Sequence, residues 1–155
     1  MEAWEIEARA AIGALLPRLQ SYGDAGRLED LADLFAPGGV YVLPSGQSAT
    51  GPSAIRAMLD GVAEQASFGR DAGSDGPPPP KFLRHNATTS RVEFSSAEEA
   101  TGDTYYLVTT DSSVDHWGRW QDVFARQPDG AWLFLRRTVV VEGSAEGSWM
   151  RRSGL

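Results

Sequence analysis

Residues 118–140 read GRWQDVFARQPDGAWLFLRRTVV. Two runs rich in aromatic and β-branched residues, HWGRWQDVFAR (116–126) and AWLFLRRTVVV (131–141), flank Pro128-Asp129-Gly130, the turn chemistry that joins antiparallel strands. The second run is apolar on both faces. Strict alternation puts Trp132, Phe134 and Val140 on one side and Leu133, Leu135, Val139 and Val141 on the other, as expected of a central strand rather than an edge. Upstream, FLRHNATTSRVEF (82–94) and TGDTYYLVTT (101–110), joined by the looser turn SSAEEA (95–100), extend the pair into a β-meander.

The first half follows a helical period. Ile12, Leu15, Leu16 and Leu19 share a stripe, with Pro17 expected to kink the helix or end it near Leu16. A second helix is expected over GRLEDLADLF (26–35), stopped by Pro37-Gly38-Gly39, then a short strand VYVL (40–43). A third helix, GPSAIRAMLDGVAEQA (51–66), opens on proline and carries Ile55, Met58, Leu59 and Val62 on one face. Helices first and an antiparallel sheet afterwards define an α+β chain. GRDAGSDGPPPP (69–80) reads as a loop insertion. It is no domain boundary, because neither side holds a balanced core, so residues 1–155 are expected to form a single domain. The tail from 143 to 155 is expected to be loose, with Trp149 and Met150 able to dock.

With 155 residues and 41% hydrophobic content the chain can bury a core. A net charge of −7 argues against nucleic acid or an anionic membrane as partner. No cysteine is present, which excludes disulfides, thiolate metal sites and cysteine nucleophiles. The acidic start MEAWEIEARA has no basic n-region or apolar h-region, and no apolar run reaches the roughly 20 residues of a membrane span, so a cytoplasmic location is expected.

The residues able to carry chemistry are few. Arg136 and Arg137 fall on opposite faces of the apolar last strand, so at least one is expected to be partly buried against an anionic or hydrogen-bonded partner. In HWGRWQD (116–122), Trp117 and Trp120 face opposite ways, and Asp115 and His116 read as exposed residues opening a strand. Asp24 reads as the N-cap of the 26–35 helix. Tyr22, Tyr41, Tyr105 and Tyr106 are possible donors or ordinary strand residues. His85, alone, reads as structural. The order of parts gives it more weight: an Asp between the first two helices, a His heading the first long strand and an Arg in the last strand. Two histidines far apart, with no carboxylate cluster at ligand spacing, predict no metal site.

Four phrases, YGDAGRLEDLADLFAPGGVY (22–41), GPSAIRAML (51–59), RHNATTSRVEF (84–94) and GRWQDVFARQPDGAWLFLRRTVV (118–140), resemble the SnoaL-like family of the nuclear-transport-factor-2-like superfamily. The resemblance covers about residues 5–142 and implies a cone-shaped fold, three helices packed in a strongly curved, mainly antiparallel sheet around a deep apolar pocket. Within it, the pattern is similar to scytalone dehydratase and hexachlorocyclohexane dehydrochlorinase, which implies Asp24 orienting His85 as general base and Arg137 lining the pocket. Trp120, Phe94, Leu135 and Val139 are wall candidates, and Tyr22 and Tyr41 candidate donors to an oxyanion or leaving hydroxyl. A carboxylate on one ring nitrogen fixes the tautomer and stabilises the imidazolium, and such base catalysis contributes about 10²–10⁴-fold.

The implied function is a cofactor-independent acid–base enzyme acting on a small, apolar, cyclic, polyketide- or steroid-like metabolite: a dehydratase or other lyase first, an isomerase or aldol cyclase second. The alternative is a non-catalytic ligand-binding or scaffold module of the same fold. Partners implied are an apolar small molecule and a second copy of the chain in a homodimer.

Overall fold

In the computed structural model residues 1–68 and 80–153 are described. All but Pro80 of the 69–80 insertion therefore lies outside the described residues. The first helix, α1, spans Ala3–Asp24 and buries Ala8, Ile12, Leu15, Leu16 and Leu19. It continues through Pro17 instead of ending near Leu16. The proline costs about 3 kcal/mol in a helix interior. Beyond it, Leu19 is buried and Tyr22 packs on the same core, and each large apolar side chain buried is worth about 1.5–3 kcal/mol.

The second helix is shorter than the sequence suggests: α2 covers Leu28–Ala32. Leu34 and Phe35 leave it, because Phe35 already pairs with Phe134 at the start of β1 (Phe35–Val42). The expected helix stop, Pro37-Gly38-Gly39, instead forms an irregularity inside that strand between Phe35 and Val40. Gly39 is required there, since a Cβ would sit 2.8 Å from the Phe134 carbonyl oxygen. A short β2 (Ser48–Thr50) leads into α3 (Pro52–Phe68). The meander follows as β3 (Leu83–Phe94), β4 (Glu99–Thr110), β5 (Val114–Arg126) and β6 (Trp132–Ser144). The expected loose tail ends in a docked turn of helix, α4 (Trp149–Ser153).

The sheet order is β2-β1-β6-β5-β4-β3, so β6 is central as its two apolar faces required, and every pairing is antiparallel except β1 with β6. The fold is thus α+β, with N-terminal helices against a curved, unclosed mixed sheet. Two register shifts on β6 decide what faces inward. Val123 pairs with Arg136 and Phe124 with Phe134, which leaves Leu135 as an extra residue, and Glu142 is skipped between Val141 and Gly143. A bulge inverts the alternation beyond it. Phe134, Arg137, Val139 and Val141 therefore share the inner face, whereas strict alternation had put Phe134 with Val140 and had made Leu135 a wall residue.

Rows of cross-strand partners cross the inner face. One runs Phe94, Ala100, Phe124, Phe134, Phe35 and is sealed by Ile12, Leu15, Leu16 and Leu19 of α1. Farther up lie Val92, Gly102, Asp122, Arg137, Tyr41, then Ser90, Thr104, Trp120, Val139. At the far end stands the row His85, Val108, His116. A second, smaller cluster of Tyr106, Val108 and Trp120, with Leu83 and Val139 against it, separates these polar rows.

Candidate active site

The end of α1 and the start of β3 meet at Asp24 and His85. Asp24 Oδ1 lies 2.7 Å from His85 Nδ1, and Oδ2 accepts the His85 backbone N–H at 3.1 Å. One carboxylate thus holds both the strand's backbone and the ring. Asp24 is the last residue of α1 and not the N-cap of α2, where Arg27 stands without a capping bond. The Asp24 side chain is 13% exposed and the His85 side chain 36%. With the Nδ1 proton donated to Asp24, neutral His85 presents its Nε2 lone pair.

Trp120 borders the ring, its centroid 6.4 Å from that of His85, and stacks on Tyr106 at 4.6 Å with planes 10° apart. Burial pushes the Tyr106 phenol up to about 12, with Tyr41 and Glu142 adding to the shift. The Tyr106 hydroxyl donates to the Val140 carbonyl at 3.4 Å.

Behind Trp120 lies a fully buried ion pair. Arg137 Nε and Nη2 donate to Asp122 Oδ1 and Oδ2 at 2.8 and 2.7 Å, and both side chains are 0% exposed. The guanidinium is sandwiched between the Trp120 ring at 4.8 Å and the Phe134 ring at 4.7 Å. Burial pulls its pKa down, but the Asp122 carboxylate more than offsets this and the net shift is upward. Nη1 is buried with no hydrogen-bond partner. A buried donor left unpaired costs about 1–3 kcal/mol, more when charged. Arg136, on the opposite face, is exposed. Tyr41 pairs with Arg137 across the parallel ladder, and its phenol is raised by burial against the lowering effect of Arg137, so it stays a donor. Tyr22 lies lower, with the Arg27 guanidinium 4.6 Å over its ring.

The sequence reading of Asp115 and His116 is overturned. Both are buried, at 3% and 8% exposure. Val108 pairs with His116 and Thr109 with Val114, so Asp115 is the extra residue of a bulge at the start of β5. Its Oδ2 lies 2.9 Å from His116 Nδ1, while Oδ1 accepts the Trp149 N–H at 2.6 Å and Oδ2 the Met150 N–H at 3.2 Å. His116 meets the Tyr106 ring edge-on at 6.1 Å. Burial lowers the His116 pKa, Asp115 opposes this, and His85 lowers it further. A second imidazole–carboxylate pair therefore stands two strands from the first, about 10 Å away by strand spacing. Only the acid–histidine dipeptide itself marked it in the sequence.

The sheet's outer face carries a groove of about 370 Å³ whose lining includes Arg91, Glu93, Asp103, Gln121, Arg136 and Thr138. It lies across the sheet from His85. Among the described residues no group of three or more His, Asp or Glu side chains gathers to hold a metal ion, and no helix is long and apolar enough to cross a membrane.

The sequence matches the SnoaL-like domain over residues 4–138. No curated protein matches it. Similar solved structures include a LinA-type hexachlorocyclohexane dehydrochlorinase from Novosphingobium barchaimii, with TM-score 0.74 and 18% identity over 92% of this chain and 91% of that one. A scytalone dehydratase-like protein from Novosphingobium aromaticivorans superposes with TM-score 0.72 and 20% identity, covering 94% of this chain and 91% of its own. A protein from Catenulispora acidiphila in complex with S-DNPA gives TM-score 0.68 and 25% identity over 88% and 95% of the two chains. The chain belongs to the SnoaL-like domain family.

Proposed function

We propose that this member of the SnoaL-like family is a cofactor-independent acid–base enzyme that eliminates water, or a comparable leaving group, from a small, largely apolar cyclic substrate. The observation that carries the reading is the 2.7 Å contact between Asp24 and His85 Nδ1, which leaves Nε2 as the base. Nε2 takes a proton from the carbon beside an activating carbonyl, and the C–H electron pair becomes an enolate. The imidazolium is paired with the Asp24 carboxylate. The enolate oxygen is held by donors, with buried Arg137 Nη1 and the protonated Tyr41 phenol as candidates. Collapse of the enolate expels the β-substituent, and a hydroxyl leaves as water once the His85 imidazolium returns the proton to it, with neutral His116 Nε2 as a hydrogen-bond acceptor at the same end of the site. Lyase chemistry is placed first because two of the similar structures carry the names of eliminating enzymes. Isomerisation or aldol ring closure on a polyketide- or steroid-like substrate uses the same base and donors.

A non-catalytic ligand-binding or scaffold role is the second reading, favoured by the Tyr106–Trp120 stack, which fills the surface beside His85. The active form in the cytoplasm is proposed to be a homodimer joined outer face to outer face, where Tyr105 (49% exposed), Trp117 (41%) and Val114 (42%) cluster beside Arg119 and its carboxylates Asp103 and Glu142.

The test is a panel of cyclic β-hydroxy and β-halo ketones, followed by mass spectrometry with the unmodified chain and with His85→Ala. Elimination by the first and loss of about 10²–10⁴-fold in the second supports the enzyme. Saturable binding of panel members with no turnover by either chain supports the binding module.

A further inference from the structure

We propose that the C-terminal segment from Ala145 to Ser153 is a positioning element of the site, seating the Asp115 carboxylate on two backbone amides of α4 and through it fixing the His116 ring. The inference rests on the functional reading above in giving His116 a place beside the reacting centre.

The contacts form one chain. Ser148 is buried, and its hydroxyl accepts the Arg151 N–H at 3.3 Å, closing the first turn of α4. Asp115 then accepts the next two amides, from Trp149 at 2.6 Å and Met150 at 3.2 Å, and spends Oδ2 on His116 Nδ1 as well. The Ala145 N–H donates to the Asp115 carbonyl at 2.9 Å, so the tail is tied to the bulge by its backbone too. A carboxylate held by two amides keeps its direction. The Nδ1 proton of His116 is thereby pinned, and Nε2 is the nitrogen Asp115 does not engage.

This wiring accounts for the bulge. Without the extra residue, Asp115 would alternate onto the outer face; as a bulge residue it is turned to α4 while His116 keeps the inner face. The groups that face His116 are Asp115 from β5, Tyr106 from β4 and His85 from β3 across Val108, while Arg151 of α4 donates from Nε to Ser144, the β6 partner of His116. Undocking the tail lets water reach a ring whose charged form is now disfavoured chiefly by burial, which makes His116 easier to protonate.

The chain has two histidines, so imidazole NMR resolves both titrations without substrate. Trp149 is the first residue of α4, a position that accepts proline at little cost. Trp149→Pro deletes the N–H that reaches Asp115, and Trp149→Ala loses the same indole but keeps that N–H. The expected result is a His116 titration in Trp149→Pro about half a unit or more above that in Trp149→Ala, with His85 unmoved. A chain truncated after Ala145 is expected to shift His116 at least as far. Coincident His116 titrations in the proline and alanine variants, or equal movement of both imidazoles, overturns the proposal. Failure of the functional reading appears instead as turnover that survives His85→Ala.

Discussion

Replacing Asp122 with Ala offers the sharpest test of the inner face. The pair it breaks is bidentate, at 2.7 and 2.8 Å, and neither side chain reaches water. Removing one partner strands a buried guanidinium, and breaking such a pair costs about 3–5 kcal/mol. The rings of Trp120 and Phe134 that sandwich the cation return part of this, since a desolvated cation–π contact is worth about 2 kcal/mol. Arg137 already carries one unpaired nitrogen, however, and the loss of Asp122 leaves all three without an acceptor. A net loss of about 3 kcal/mol is expected, a drop in Tm of roughly 6–12 °C for a chain this size. The double variant Asp122→Leu/Arg137→Met should recover most of that stability, because a well-packed apolar pair replaces a buried ion pair at little or no cost. It should nonetheless lose turnover, since the Nη1 donor is gone. Urea unfolding followed by tryptophan fluorescence measures the stabilities. A cost below about 1 kcal/mol for Asp122→Ala, or a double variant no more stable than the single, refutes the argument.

Other outcomes follow from the same geometry. Asp24→Asn should reduce turnover by about 10²–10⁴-fold with little loss of folded protein, because the amide can still accept one bond but cannot stabilise the imidazolium; unchanged kcat contradicts the orienting role. His116 has a pKa lowered mainly by burial, so the folded state favours its neutral form. The stabilisation is complete above the unfolded value of about 6.5 and is lost as the pH falls below it. Tm measured downward from pH 7.5 should therefore fall less steeply in His116→Gln, and an identical slope contradicts the assignment. Trp117→Glu on the outer face should convert a dimer to monomer in sedimentation without altering the circular dichroism of the fold; an unchanged mass places the interface elsewhere.

The architecture was legible where local chemistry and burial agree. Pro128-Asp129-Gly130 marked the last hairpin, and the two-sided apolarity of 131–141 marked a central strand. Reading failed where tertiary packing outweighed a local signal. Pro17 did not end α1, because Leu19 and Tyr22 beyond it complete the buried stripe. Pro37-Gly38-Gly39 did not merely stop a helix, because the adjacent Phe35 pairs with Phe134. The largest losses came from bulges, which no periodicity reveals. Leu135 as an extra residue turned Arg137 onto the same face as Phe134, and Asp115 as another buried a histidine that strand position alone placed in solvent. The Asp24–His85 contact was legible only through the family resemblance, since 61 positions separate the two and no spacing rule joins them.

The central claim is that His85 removes a proton from carbon. It is met most directly by incubating the protein in deuterated water with a cyclic ketone that it binds, and following deuterium into the position beside the carbonyl. The account predicts enzyme-dependent exchange that falls by about 100-fold or more in His85→Ala while the ketone still binds. Exchange at an undiminished rate in that variant contradicts it.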